Sequence, residues 1–121
     1  MKKHILIVDD EAPIREILTQ MLEQRGYRVT EASSAIEARK VVERDPPGIM
    51  ISDLQLEESD GLAMISQLKA SGSGLPVMLL TGVLFDDDVV QKSLNKVVDI
   101  YLPKTTPLAK IMQEVQSLCP P

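Results

Sequence analysis

Five side chains spread along this sequence have the types needed to hold a cation and a transferred anionic group: Asp9, Asp10, Asp53, Thr81 and Lys104. Each comes just after an apolar run. His4 to Val8 ends on Asp9-Asp10-Glu11, Gly48 to Ser52 on Asp53, Pro76 to Leu80 on Thr81, and Val97 to Leu102 on Pro103-Lys104. Carboxylates brought within a few ångströms repel one another, which raises a pKa or demands a cation. Against Asp9, Asp10 and Asp53, Lys104 alone leaves two negative charges, which one divalent ion would cancel. Hard oxygen donors without His or Cys suit Mg²⁺, which keeps several waters and takes one or two carboxylates plus a phosphate oxygen. An Asp nucleophile that accepts a phosphoryl group needs the new charge held by metal, ammonium and hydroxyl together. Taken singly, the same residues have plainer readings. Asp53 can start a turn, Asp9-Asp10 can cap a helix, Thr81 can end a strand, and Lys104 can be a solvated lysine.

The elements that would position these groups follow from the apolar pattern. The runs are short, continuous and bounded by turn residues, as expected of strands buried on both faces. After Asp10, Pro13 suits a first helical turn, and Ile14, Ile17, Leu18, Met21 and Leu22 recur on one helical face until Gly26 stops it. Tyr27 to Thr30 reads as a short strand. Ser34 with Glu37 makes a capping-box start for a helix that turns Ala35, Ala38, Val41 and Val42 inward. Asp45-Pro46-Pro47-Gly48 breaks that helix and leads into the Asp53 strand. Leu62, Ile65 and Leu68 line a third helix that dissolves in Ser71-Gly72-Ser73-Gly74. Asp86 or Asp87 would start a short fourth helix over Val89 to Asn95. In the last helix, Thr105 or Thr106 caps, Pro107 opens, and Leu108, Ile111, Met112, Val115 and Leu118 face inward. Alternating strands and helices imply right-handed crossovers and a parallel five-stranded sheet covered on both faces. In a doubly wound (βα)5 flavodoxin-like fold of order 2-1-3-4-5, the first and third strands are neighbours at the switch point. Their carboxyl ends, with those of the fourth and fifth strands, converge on one edge.

Composition narrows the classes. The 121 residues suit one domain, 1–121, with an aliphatic core: 44% of residues are apolar, yet there is no Trp, one Phe and two Tyr. A net charge of −5 with no basic run beyond Lys2-Lys3 argues against direct nucleic-acid binding. No apolar stretch is long enough for a membrane span, and Ile5 to Val8 is too short for a signal segment. The lone Cys119 excludes an intrachain disulfide and fits a reducing, cytoplasmic compartment. As a redox nucleophile it has no evident partner.

Asp9-Asp10, Asp53-Leu54-Gln55-Leu56 with Asp60-Gly61, Thr81 after Met78-Leu79-Leu80, and Tyr101-Leu102-Pro103-Lys104 together resemble the receiver domain of bacterial two-component response regulators. The resemblance runs over essentially the whole chain. It implies that Asp53 accepts a phosphoryl group from a phosphohistidine of a sensor histidine kinase or phosphotransfer protein. It further implies that Asp10, Asp53 and the Gln55 carbonyl ligate Mg²⁺, with Asp9 reaching it through water. Thr81 would bond the phosphoryl oxygens and Lys104 would pair with them. Tyr101 would turn inward when Thr81 moves, coupling the site to the surface of the fourth helix, fifth strand and fifth helix. Such a chain is no enzyme beyond its own phosphorylation and dephosphorylation. It would work on an output partner or a fused effector domain, and the family allows a phosphorylation-dependent homodimer.

The sequence also departs from the family pattern. Glu57 stands where Pro is usual, Gly82 where Ala is usual after Thr81, Thr105 where Pro usually follows Lys104, and Val97-Val98 where Gly-Ala is common. The segment from Val83 to Asn95 looks about one residue long. Without Pro at 105 the cis bond expected after Lys104 is too costly to form, so the reach of Lys104 depends on how that loop closes. Two other classes compete with a phosphorylation switch. One is an interaction module of the same fold that works without phosphate. The other is a flavodoxin-like small-molecule binder, which Asp9-Asp10-Glu11 disfavours by repelling a phosphate in the first loop.

Overall fold

The computed structural model describes residues 2–53, 55–56, 59–70, 74–82 and 98–121, with the backbone alone for 55–56 and 59–62. In chain order the elements are β1 (His4–Val8), α1 (Ala12–Gln24), β2 (Arg28–Ala32), α2 (Ala35–Arg44), β3 (Ile49–Ser52), β4 (Gln55–Leu56), β5 (Ser59–Asp60), α3 (Gly61–Ala70), β6 (Val77–Thr81), β7 (Ile100–Pro103) and α4 (Leu108–Leu118). Five strands form one parallel sheet ordered β2-β1-β3-β6-β7. With the small antiparallel β4–β5 pair set aside, this is the 2-1-3-4-5 order expected from the sequence.

Strand alternation sends successive side chains to opposite faces, and the core divides accordingly. Leu6, Val8, Met50, Val77 and Leu79 pack under α2 and α3 with Ala38, Val41, Met64 and Ile65. Ile5, Ile7, Ile49, Ile51, Met78 and Leu80 pack under α1 and α4 with Leu18, Leu22, Ile111, Met112 and Val115. The three central strands are buried along their whole length, while β2 and β7 are edges. That is why the central strands read as unbroken apolar runs.

Helix ends follow local chemistry. Ser34 Oγ accepts the Glu37 N–H at 3.2 Å, and the Glu37 carboxylate accepts from both the N–H and the hydroxyl of Ser33. Gly26, at φ +93°, takes the left-handed turn after α1 that a side chain would resist. Several expectations need correction. Pro107 itself occupies the cap position of α4 with no side-chain cap, so neither Thr105 nor Thr106 serves as one. Ile17 and Leu108, expected on inner faces, are 48% and 41% exposed; a helical period marks an apolar face but not what covers its edge. The second strand runs to Ala32 rather than Thr30. The last strand begins at Ile100, just after the Asp99 N–H bonds the Val77 carbonyl; its expected first residue, Val97, lies outside the described residues. The expected fourth helix over Val89 to Asn95, the Asp86-Asp87-Asp88 start and the Ser71-Gly72-Ser73 break lie outside the described residues.

Candidate functional site

Sheet register brings the candidate residues to one rim. Val8 pairs with Ser52 and Ser52 with Leu79, so the next residues, Asp9 and Asp53, leave neighbouring strand ends side by side. Backbone bonds hold both at that level: the Asp9 N–H donates to the Ala32 carbonyl at 3.1 Å and the Asp53 N–H to the Val8 carbonyl at 2.9 Å. On the other side of β3, Thr81 is fully buried at the end of β6 and pairs with Pro103. Its carbonyl accepts the Lys104 N–H at 2.7 Å, which fixes where the lysine leaves the sheet. Lys104 therefore reaches the acids with Thr105 following it, and no peptide bond among the described residues is cis.

The lysine ammonium lies among three carboxylates. Lys104 Nζ donates to Asp53 Oδ2 at 2.9 Å and stands 3.1 Å from both Asp9 Oδ2 and Glu11 Oε1. Carboxylate oxygens of Asp9, Asp10, Glu11 and Asp53 all lie within 4.8 Å of one another, a grouping able to hold a metal ion. Asp9 and Asp53 are buried, Asp10 and Glu11 exposed. The Glu11 N–H donates to Asp9 Oδ1 at 2.9 Å, folding the turn so that Glu11 comes round to the lysine. Arg15, one turn into α1, donates to the Asp9 carbonyl and pairs with Glu31 at 3.3 Å, tying helix, β1 and β2 together below the acids.

Electrostatics follow from this packing. Burial pushes the Asp9 carboxyl above the ordinary carboxylate value, more than the Glu11 N–H and Lys104 pull it down, and the Asp53 charge adds to the rise. Burial works against the charge on Lys104, but its bonds to Asp53, Glu11 and Asp9 outweigh that and hold it well above the ordinary lysine value. The lysine is thus a fixed cation. An added Cβ at Gly82 would meet Lys104 Cδ at 3.9 Å, ordinary contact, so the missing Ala methyl leaves the lysine stem in place.

The structure brings together Asp9, Asp10, Asp53 and Lys104 and sets Thr81 on the same rim. Gln55 opens β4 two residues beyond Asp53. Tyr101 lies on β7, partly buried against the core under α2 and α3, with Leu79 as its partner in register. Glu11 was legible only as one of three acids after β1; nothing in its spacing marks it as a lysine partner. Asp9, Asp10 and Asp53 offer the hard oxygen set that suits Mg²⁺, and the nearby lysine answers only part of their charge.

The sequence profile of the family described as response regulator receiver domain matches residues 5–116. The chain belongs to the response regulator receiver domain family. Response regulator MprA of Mycobacterium leprae is 34% identical over 116 residues, covering 94% of this chain and 50% of that protein. The chain spans about half the length of the curated relatives it matches. A receiver domain protein from Methanospirillum hungatei shares 26% identity at a TM-score of 0.87, over 97% of this chain and 93% of that one. Thermotoga maritima response regulator TrrA, whose structure contains Mg²⁺ and BeF, shares 26% identity at a TM-score of 0.83, over 96% and 98% of the two chains. The receiver fold of two-component signalling and its acidic cluster are therefore present here, and a histidine kinase is the general kind of partner such domains serve. Among the described residues, no helix is long and apolar enough to cross a membrane.

Proposed function

We propose that this chain is the phosphoacceptor switch of a two-component system, with Asp53 the residue phosphorylated. The observation that carries this reading is the convergence of Asp9, Asp10 and Asp53 at the carboxyl ends of adjacent strands, with the Lys104 ammonium on Asp9 and Asp53. Asp10, Asp53 and the Gln55 carbonyl would hold Mg²⁺, with Asp9 joined through water, and the TrrA structure supports that assignment by similarity. When bound, Mg²⁺ supplies positive charge to the oxygens of the transferred group.

The chain's own groups do the rest. An Asp53 oxygen attacks phosphorus in line as the bond to the donor imidazole nitrogen breaks, and the electron pair leaves with that nitrogen. Lys104 keeps its proton and pairs with phosphoryl oxygens, while the Thr81 hydroxyl donates to another of them. Tyr101, on the edge strand β7 that pairs with β6 and leads into Lys104, would transmit the change to the surface around β7 and α4. To turn a 1:99 equilibrium into 99:1, phosphorylation must favour the active state by about 5.5 kcal/mol, and these contacts are its sources. The output partner or effector, whether fused or separate, would read that surface.

Incubating the protein with Mg²⁺ and acetyl phosphate should give a phosphoryl mass increment that Asp53→Asn abolishes. No increment on the parent would favour the other reading, an interaction module that works without phosphate.

A further inference from the structure

The Lys104 ammonium occupies the ground a cation would need. It is 2.9 Å from Asp53 Oδ2 and 3.1 Å from Asp9 Oδ2, so an ion entering between these carboxylates competes with it directly. Its third partner differs from the other two. Glu11 Oε1 is also 3.1 Å away, but that side chain is 57% exposed and sits on the outer lip of the cluster. The Glu11 N–H bond to Asp9 Oδ1 anchors the turn that carries it.

From this arrangement we infer that Glu11 is a positioning residue, a berth that keeps the Lys104 ammonium paired when Mg²⁺ takes Asp53 and, through water, Asp9. The inference rests on the metal reading given above and extends it. With Glu11 in place, metal entry moves the ammonium from two buried carboxylates to an exposed one, and no bond-forming group is left bare. Without it, Lys104 either stays on Asp9 and Asp53 and competes with the ion or gives up its partners. Glu11 does this through Lys104, which separates its role from that of a metal ligand or a distant negative charge.

A double-mutant cycle tests the point, with Mg²⁺ affinity measured by calorimetry on the parent, Glu11→Gln, Lys104→Met and the pair. An exposed ion pair is worth up to about 1 kcal/mol, so Glu11→Gln should weaken Mg²⁺ binding by up to about fivefold in the parent. Where Lys104→Met has removed the competing ammonium, the same change should cost less than about half of that in logarithmic terms. Equal weakening in both backgrounds would make Glu11 a ligand or a field effect and overturn the inference, as would no weakening in the parent. The Lys104 ammonium NMR signal gives a second readout: Mg²⁺ should shift it less in the parent than in Glu11→Gln, and equal shifts would contradict the berth. Lys104→Gln replaces Lys104→Met if the latter does not fold. A parent that binds no Mg²⁺ would fail the metal reading itself, and this inference with it.

Discussion

The two ends of the sheet treat charge in opposite ways. At the amino-terminal end most polar groups are matched, His4 Nδ1 excepted: Arg28 pairs with Asp45 at 2.6 Å, His4 Nε2 meets Thr30 Oγ1 at 2.7 Å, and the Tyr27 hydroxyl donates to the Cys119 carbonyl at 2.6 Å. Asp99 accepts from Lys69 and from the Val77 N–H. At the carboxyl-terminal end four carboxylates cluster, three of them against the Lys104 ammonium, so that acids and lysine together carry an excess of three negative charges among the described residues. Matched groups close a structure, whereas an unbalanced cluster of acids costs stability unless a cation answers it. One rim is built to hold the fold and the other to receive a ligand.

Substitutions at the two rims should therefore move stability in opposite directions. The largest loss is expected at Gly48, whose N–H bonds the His4 carbonyl and where an added Cβ would lie 3.0 Å from Cys119 Sγ and 3.5 Å from the His4 carbonyl. Gly48→Val should cost about 1–3 kcal/mol by overpacking, read by urea unfolding, with phosphoryl uptake at Asp53 retained. If uptake falls as far as stability does, the two rims are not separable.

A smaller loss is expected from Asp99→Asn, about 1 kcal/mol at neutral pH for a partly exposed pair. Burial acts to raise the Asp99 pKa, but the bonds to Lys69 and the Val77 N–H prevail and lower it from 3.8. A carboxyl depressed in the fold adds stability above its unfolded value and loses it as the pH falls through the folded one. The gap between parent and Asp99→Asn should accordingly close on acidification below about 3.8. A gap independent of pH would remove the charge from the explanation.

The smallest change, of opposite sign, is expected at the acidic rim. Because Asp9 is raised mainly by burial, its ionised form opposes folding, and Asp9→Asn without metal should stabilise by about 0.5 kcal/mol while weakening Mg²⁺ binding. Destabilisation comparable to that of Asp99→Asn would erase the contrast between the rims.

Much of this was legible in the residues, and the gaps have physical causes. Three buried strands on a parallel sheet need apolar side chains at every position, so Ile5 to Val8, Ile49 to Ser52 and Val77 to Leu80 stood out, and the acids after them marked the site. The edge strands carry mixed patterns, and their limits moved by two or three residues, at Ala32 and Ile100. The β4–β5 pair has two-residue strands, too short for any period to show. Ile17 and Leu108 had the right spacing for core but border a groove with Ile14, Leu80 and the Lys104 stem, a feature of helix placement and not of sequence period. Glu11 was readable as an acid, but its contact with Lys104 spans the fold between chain positions 11 and 104, and only tertiary structure supplies it.

Unfolding of the metal-free protein, measured by urea titration with Mg²⁺ or with K⁺ at equal ionic strength, tests the central claim most directly. A rim that holds negative charge in excess for a cation predicts that Mg²⁺ at ten times its dissociation constant stabilises the parent by about 1.4 kcal/mol and Asp53→Asn by much less. The same midpoint in both salts, or an equal gain in parent and variant, would contradict it.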